Sequence, residues 1–140
     1  MSTDLQALAL WRNALVTSVR SDSPDLSARQ MALMLTVYLS DRQHTVRGLA
    51  AELNISKPAI SRALDRLGEL GFIRRKRDEE DRRNVIVQRT VKGSVYLTDF
   101  AHWIKTAEGS LKNETVKEDI FNFMGEKVED GVDDASAAAA

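Results

Sequence analysis

The chain has 140 residues, 43% hydrophobic and 29% charged, which is enough for one domain with a modest core and too little for two comfortable ones. It contains no cysteine, which excludes disulfides, thiolate metal sites and thiol redox sensing and fits a cytoplasmic protein. The net charge of -1 conceals an uneven distribution: residues 57–89 carry ten Lys/Arg against six Asp/Glu, whereas residues 108–140 carry three against nine.

The opening MSTDLQALALWRNALV has an acid ahead of its apolar stretch and Arg12 inside it, so it reads as neither a signal peptide nor a membrane span. Thr3 and Gln6 have the spacing of a capping box, in which each side chain satisfies an orphan N–H of the first turn. They open a helix over about residues 4–20, with Leu5, Leu8, Leu15, Val16 and Val19 at helical spacings and Trp11 near the same stripe. Pro24 and its polar neighbours break it. Ser27 and Gln30 repeat the capping box and start a second helix to about Leu39. Its interior, MALMLTVYL, is apolar nearly all round, as expected of a helix buried on most faces.

Residues 40–44 read as a polar loop. Thr45 caps a short helix over 46–53 that turns Leu49, Ala50 and Leu53 inward, and Asn54 and Ile55 make a turn. Ser56 caps the next helix, with Pro58 tolerated in its first turn; that helix runs to about Leu70 and stops at Gly71. Residues 72–77 and 85–89 read as strands around the turn DEEDRRN. Thr90 caps a helix over about 91–107, where Tyr96, Phe100, Trp103, Ile104 and Ala107 keep helical spacing. A last helix is expected over 116–128, and the acidic, Ala-rich end 129–140 is expected to be disordered.

Two short helices joined by a tight turn form a helix-turn-helix, whose second helix enters the major groove of duplex DNA. Its exposed polar positions are Ser56, Lys57, Ser61, Arg62 and Arg66, with Ile60, Leu64 and Leu67 turned to the core. Lys57 and Arg62 are candidates for bases or nearby phosphates, and Ser56 and Ser61 for phosphates or weak base reading. Taken alone, Arg62 and Arg66 read first as the solvated face of an amphipathic helix. The hairpin shifts the balance. Arg74, Arg75, Lys76 and Arg77 set positive charge along one strand, and Arg82 and Arg83 set it at the turn, where arginine can enter the minor groove. Asp81, two residues before Arg83, can hold its guanidinium through a charge-assisted hydrogen bond. The plainer alternative makes DEEDRR a self-neutralising surface turn.

The run LAAELNISKPAISRALDRLGELGFIRRKRDEEDRR, closed by Thr90 and Gly93, resembles the winged-helix domain of the MarR (multiple antibiotic resistance regulator) family over about residues 26–93. The resemblance implies a mainly α fold with a small β-hairpin wing, a winged helix-turn-helix with flanking dimerisation helices. It divides the chain into an N-terminal dimerisation helix (1–25), a DNA-binding domain (26–93), C-terminal dimerisation helices (94–128) and a tail (129–140). It implies a homodimer on a pseudo-palindromic duplex, with Asp81 and Arg83 as the family's D-x-R pair and Arg83 in the minor groove. Arg75, Arg77 and Arg82 complete the expected DNA-binding set. The family usually closes its second wing strand with Leu-Thr, where this chain has Arg89-Thr90. Many relatives respond to phenolic ligands or cysteine oxidation; this chain has no cysteine and shows no ligand-binding constellation, so an effector stays unidentified and no cofactor or metal is implied.

An enzyme is not expected, since His44 and His102 stand far apart with no metal-ligand spacing and there is no phosphate-cradling glycine loop. The competing reading is a winged helix whose basic face meets an acidic protein partner, or is masked in cis by the acidic tail. Among regulators, a repressor is expected over an activator, because occluding a promoter requires only binding.

Overall fold

A computed structural model describes residues 3–113. Its elements are α1 (Asp4–Arg20), α2 (Ala28–Leu39), β1 (His44–Thr45), α3 (Val46–Leu53), α4 (Lys57–Glu69), β2 (Ile73–Arg77), β3 (Val85–Arg89) and α5 (Val91–Asn113). The helix expected over 116–128 and the tail over 129–140 lie outside the described residues. The described chain forms two compact units, one of residues 18–101 and one of residues 3–17 with 102–113.

In the first unit the helix starts are set by side chains. Ser27 Oγ accepts from Gln30 N at 3.1 Å while Gln30 Oε1 accepts from Ser27 N at 2.9 Å, the reciprocal pair expected of a capping box. Thr45 Oγ1 accepts from Gly48 N at 3.0 Å and starts α3. Asn54 ends α3 in the left-handed conformation (φ 52°, ψ 48°), and Ser56 Oγ accepts from Ala59 N to start α4. Gly71, at φ 78°, turns the chain out of α4, where an L side chain would be strained.

The core of this unit lies between α2, α3, α4 and the sheet. Leu33, Leu49, Ile60, Leu64 and Leu67 are all at most 1% exposed. Each such burial is worth about 1.5–3 kcal/mol, so any one is a sizeable share of a small domain's net stability. Phe72 stacks on Tyr96, ring centroids 4.5 Å apart, and joins the sheet to α5. Tyr38 makes a second junction: its hydroxyl donates to Phe72 O at 2.6 Å and accepts from Thr90 N at 2.9 Å. Gly93 sits under that hydroxyl, and Thr90 Oγ1 accepts from Gly93 N at 3.0 Å, so Thr90 caps α5 as expected.

Three sequence expectations are corrected. α2 is buried along one face, through Leu33, Met34 and Val37, which meets α4 and β3, while Leu39 is 79% exposed. Residues 40–44 are not all loop. His44 and Thr45 form a short third strand, so the sheet order is β1-β3-β2, with His44 opposite Val87 and Thr45 opposite Ile86. His44 is buried, its Nε2 donating to Ser40 O at 3.2 Å. α5 continues past residue 107 to Asn113.

In the second unit, the Thr3–Gln6 capping box forms in both directions, at 2.9 and 3.1 Å. Ala14 and Ala107 are buried, whereas Leu8 and Trp11, three residues apart on α1, are 56% and 51% exposed. No helix among the described residues is long and apolar enough to cross a membrane.

Candidate nucleic-acid interface

α4 is sharply two-sided. Ile60, Ala63, Leu64 and Leu67 are buried, and Ser56, Lys57, Arg62 and Arg66 are exposed at its start and along its outer face. Ser61 is half-buried. The Ser56 oxygen accepts the capping bond, and as a hydroxyl it keeps a proton to donate elsewhere. Arg66 makes a loose ion pair with Glu69 at 3.8 Å.

The wing is an antiparallel hairpin in which Arg75 pairs with Val87 and Arg77 with Val85. Alternation along β2 puts Arg75 and Arg77 on the face that Ile73 buries, and Arg74 and Lys76 on the other. Arg75 uses that direction: its Nη2 donates to Asp65 Oδ1 of α4 at 2.6 Å, tying the wing to the helix. At the turn, Asp81 Oδ1 accepts from the Arg83 backbone N at 3.1 Å and from Arg83 Nε at 3.3 Å. The backbone is held as well, Asn84 N donating to Asp81 O at 2.9 Å. The spacing of Asp81 and Arg83 thus becomes a contact, and it leaves the Arg83 side chain 85% exposed. Arg77 and Arg82 are exposed beside it.

These elements bring Lys57 and Ser61 of α4 together with Arg75 and Arg83 of the wing along one cleft. Arg62, Arg66, Arg77 and Arg82 lie outside its lining. The lining contains four cations and no carboxylate; Asp65 and Asp81, just outside it, pair with Arg75 and Arg83, so its positive excess rests chiefly on Arg47 and Lys57 and suits a polyanionic backbone. The fourth cation, Arg47, escaped the sequence reading. A signal was available: a cation in the first turn of α3 opposes the helix macrodipole, so it needs another reason to be there. No cluster of three or more His, Cys, Asp or Glu that could hold a metal occurs among the described residues.

The family model of the MarR family matches residues 26–85. No curated protein is matched by the sequence. Among solved structures, the chain resembles a MarR crystal structure at 23% identity and TM-score 0.60, covering 95% of this chain and 96% of that one. It resembles Streptococcus pneumoniae FabT in complex with DNA at 20% identity and TM-score 0.61, covering 94% and 89%. An S. aureus MepR mutant bound to an oligodeoxyribonucleotide matches at 18% identity and TM-score 0.67, covering 92% and 91%. Identities this low establish the winged-helix fold, and within that fold residues 26–85 are similar to the MarR family, whose model they match.

Proposed function

We propose that the protein is a sequence-specific, duplex-DNA-binding transcriptional regulator of the cytoplasm. The observation that carries this reading is the carboxylate-free cleft that Arg47, Lys57, Arg75 and Arg83 line between α4 and the wing. An α-helix with its side chains is about 10–12 Å across and a B-DNA major groove about 12 Å wide, so α4 fits with its N-terminal residues foremost. In that pose Lys57 and Arg62 reach base edges or adjacent phosphates, and Ser56, Ser61 and Arg66 reach the backbone. Arg83, steadied by Asp81, enters the minor groove, with Arg77 and Arg82 on flanking phosphates. Two neighbours sharing the fold, FabT and the MepR mutant, are described in complex with DNA, which supports the same use here.

A homodimer on a pseudo-palindromic site follows from the same reading, with 1–25 and 94–128 as the dimerisation segments. The exposed Leu8 and Trp11 of α1 support it, since apolar groups of that size favour a covered surface. Repression is the simplest output, because a bound dimer blocks polymerase by occupancy.

The test is a salt titration of binding to duplex DNA by the wild type and by Arg83→Ala and Arg62→Ala. A dimer touching about eight phosphates should show a slope of log K against log salt of about -7. Each substitution should weaken binding and flatten the slope by about one unit for every phosphate left without its cation. Retained affinity in the double variant would overturn the proposal, and tight, salt-sensitive binding to an acidic protein with none to duplex DNA would establish the interaction-module reading.

A further inference from the structure

The geometry points to Arg89 as a positioning residue that sets the pitch of the wing, and through it the placement of Arg83. This rests on the DNA-binding reading above and deepens it. Arg89 ends β3, yet its guanidinium serves another element. Its Nε donates to Val37 O at 3.0 Å and its Nη2 to Ser40 O at 2.7 Å, at the C-terminal end of α2. Both oxygens lie where a helix runs out of intrahelical donors. α2 has no basic residue in its own last turn, so Arg89 supplies the cation that the negative end of its dipole favours. The guanidinium also lies 5.9 Å from the centre of the Tyr38 ring, and Asp41 Oδ1 is 3.8 Å away on the outer side.

Tyr38 completes the device. Its hydroxyl bonds Phe72 O just before β2 and Thr90 N just after β3, so one turn of α2 grips the base of both wing strands. From there outward the ties thin: Ile73 and Val87 are buried against the core near the base, Ile86 and Val87 pair with β1, and the remaining ties are the Arg75–Asp65 bridge and the Asp81–Arg83 contact inside the turn itself. The turn carries no buried residue, so nothing at the tip fixes its direction. Arg83 lies about 20 Å of strand from Arg89 at about 3.4 Å per residue, so a tilt of about 10° at the base would move the tip by about 3 Å. That exceeds the tolerance of a hydrogen bond. A leucine at this strand end, usual in the family's pattern, could fill space but could not hold the α2 carbonyls.

Two measurements on the whole chain test this. In amide hydrogen exchange, Arg89→Met should speed exchange in β2 and β3 about tenfold relative to Leu64 and Leu67 of α4. Arg89→Lys, which keeps the charge but loses the fork, should fall between. Should Arg89→Met not fold, Arg89→Lys makes the same comparison, since it removes the two-pronged grip on the Val37 and Ser40 carbonyls and keeps the charge. Equal acceleration in wing and α4, or none, overturns the clamp. In binding to a mixed-sequence duplex of about 30 base pairs at low salt, Arg89→Met should weaken affinity about tenfold alone and less than about twofold in an Arg83→Ala background. Additive effects of the two substitutions overturn the link to Arg83. Absence of duplex binding by the wild type would overturn the functional reading instead, and the exchange measurement would still decide the clamp.

Discussion

Replacing Gly93 by alanine should destabilise the protein by about 2–4 kcal/mol, although the same substitution usually stabilises a helix. A Cβ at position 93 would stand 1.9 Å from the Tyr38 hydroxyl oxygen and 2.4 Å from the Phe72 carbonyl oxygen. Neither neighbour yields cheaply. Moving the hydroxyl forfeits its bonds to Phe72 O and from Thr90 N, each worth about 1 kcal/mol net. Moving the carbonyl shifts the backbone entering β2, an overpacking cost of about 1–3 kcal/mol. Alanine's better helix propensity returns at most about 1 kcal/mol, which leaves the sign unchanged. Gly109, on the same helix, has nothing within 4 Å of its Cβ position, so there propensity acts alone and alanine should stabilise by up to about 1 kcal/mol. Urea unfolding followed by far-UV circular dichroism measures both free energies, and thermal unfolding should show a fall in Tm of about 10 °C for Gly93→Ala. A Gly93→Ala protein within about 0.5 kcal/mol of wild type would refute the close packing of Tyr38 on α5.

Asn54, at φ 52°, should accept glycine with little change in stability, whereas Asn54→Ala should cost about 1 kcal/mol by urea unfolding. Ser27→Ala removes an N-cap oxygen and half of a capping box, and should lower unfolding free energy by about 1 kcal/mol with the fold retained by circular dichroism. Burial, with the Asp25 carboxylate adding to it, raises the Tyr96 phenol above its ordinary value of 10.0, so the fold prefers the neutral form. That preference contributes stability fully present below about pH 10 and lost as pH rises through the higher folded-state value, so unfolding free energy should fall as pH rises above about 10, and less steeply in Tyr96→Phe.

Local chemistry made much of this fold legible. Thr3, Ser27, Thr45, Ser56 and Thr90 all cap the helices that their positions predict, because an N-cap acts within three residues of itself. Asn54 and Gly71 likewise mark turns by their own backbone preference. What escaped depends on contacts distant in the chain. β1 is two residues long, too short to show alternation, and it exists only because Val87 and Ile86 lie alongside. The sidedness of α2 could not be read from a stretch apolar all round, since only the position of α4 and β3 decides which face is covered. In the candidate site, the Asp81–Arg83 contact was legible from its spacing of two. The Arg75–Asp65 bridge was not, because it needs the β2 register and the outer face of α4 together. Arg89 shows the same limit: as sequence it is a departure from a family pattern, and as structure it is a cap on another helix.

Thr45 is at once the last residue of β1, opposite Ile86, and the residue whose hydroxyl starts α3. No spacer therefore separates the sheet from the helix-turn-helix: β1, the strand beside the wing, and the first helix of the pair meet at a single residue. Length variation at this junction would rotate α3 against the sheet, because each added residue turns a helix start by about 100°. Residues 41–43, exposed and outside any element, can absorb an insertion that residues 44–46 cannot. Accessory loops engineered into this protein belong on the near side of His44.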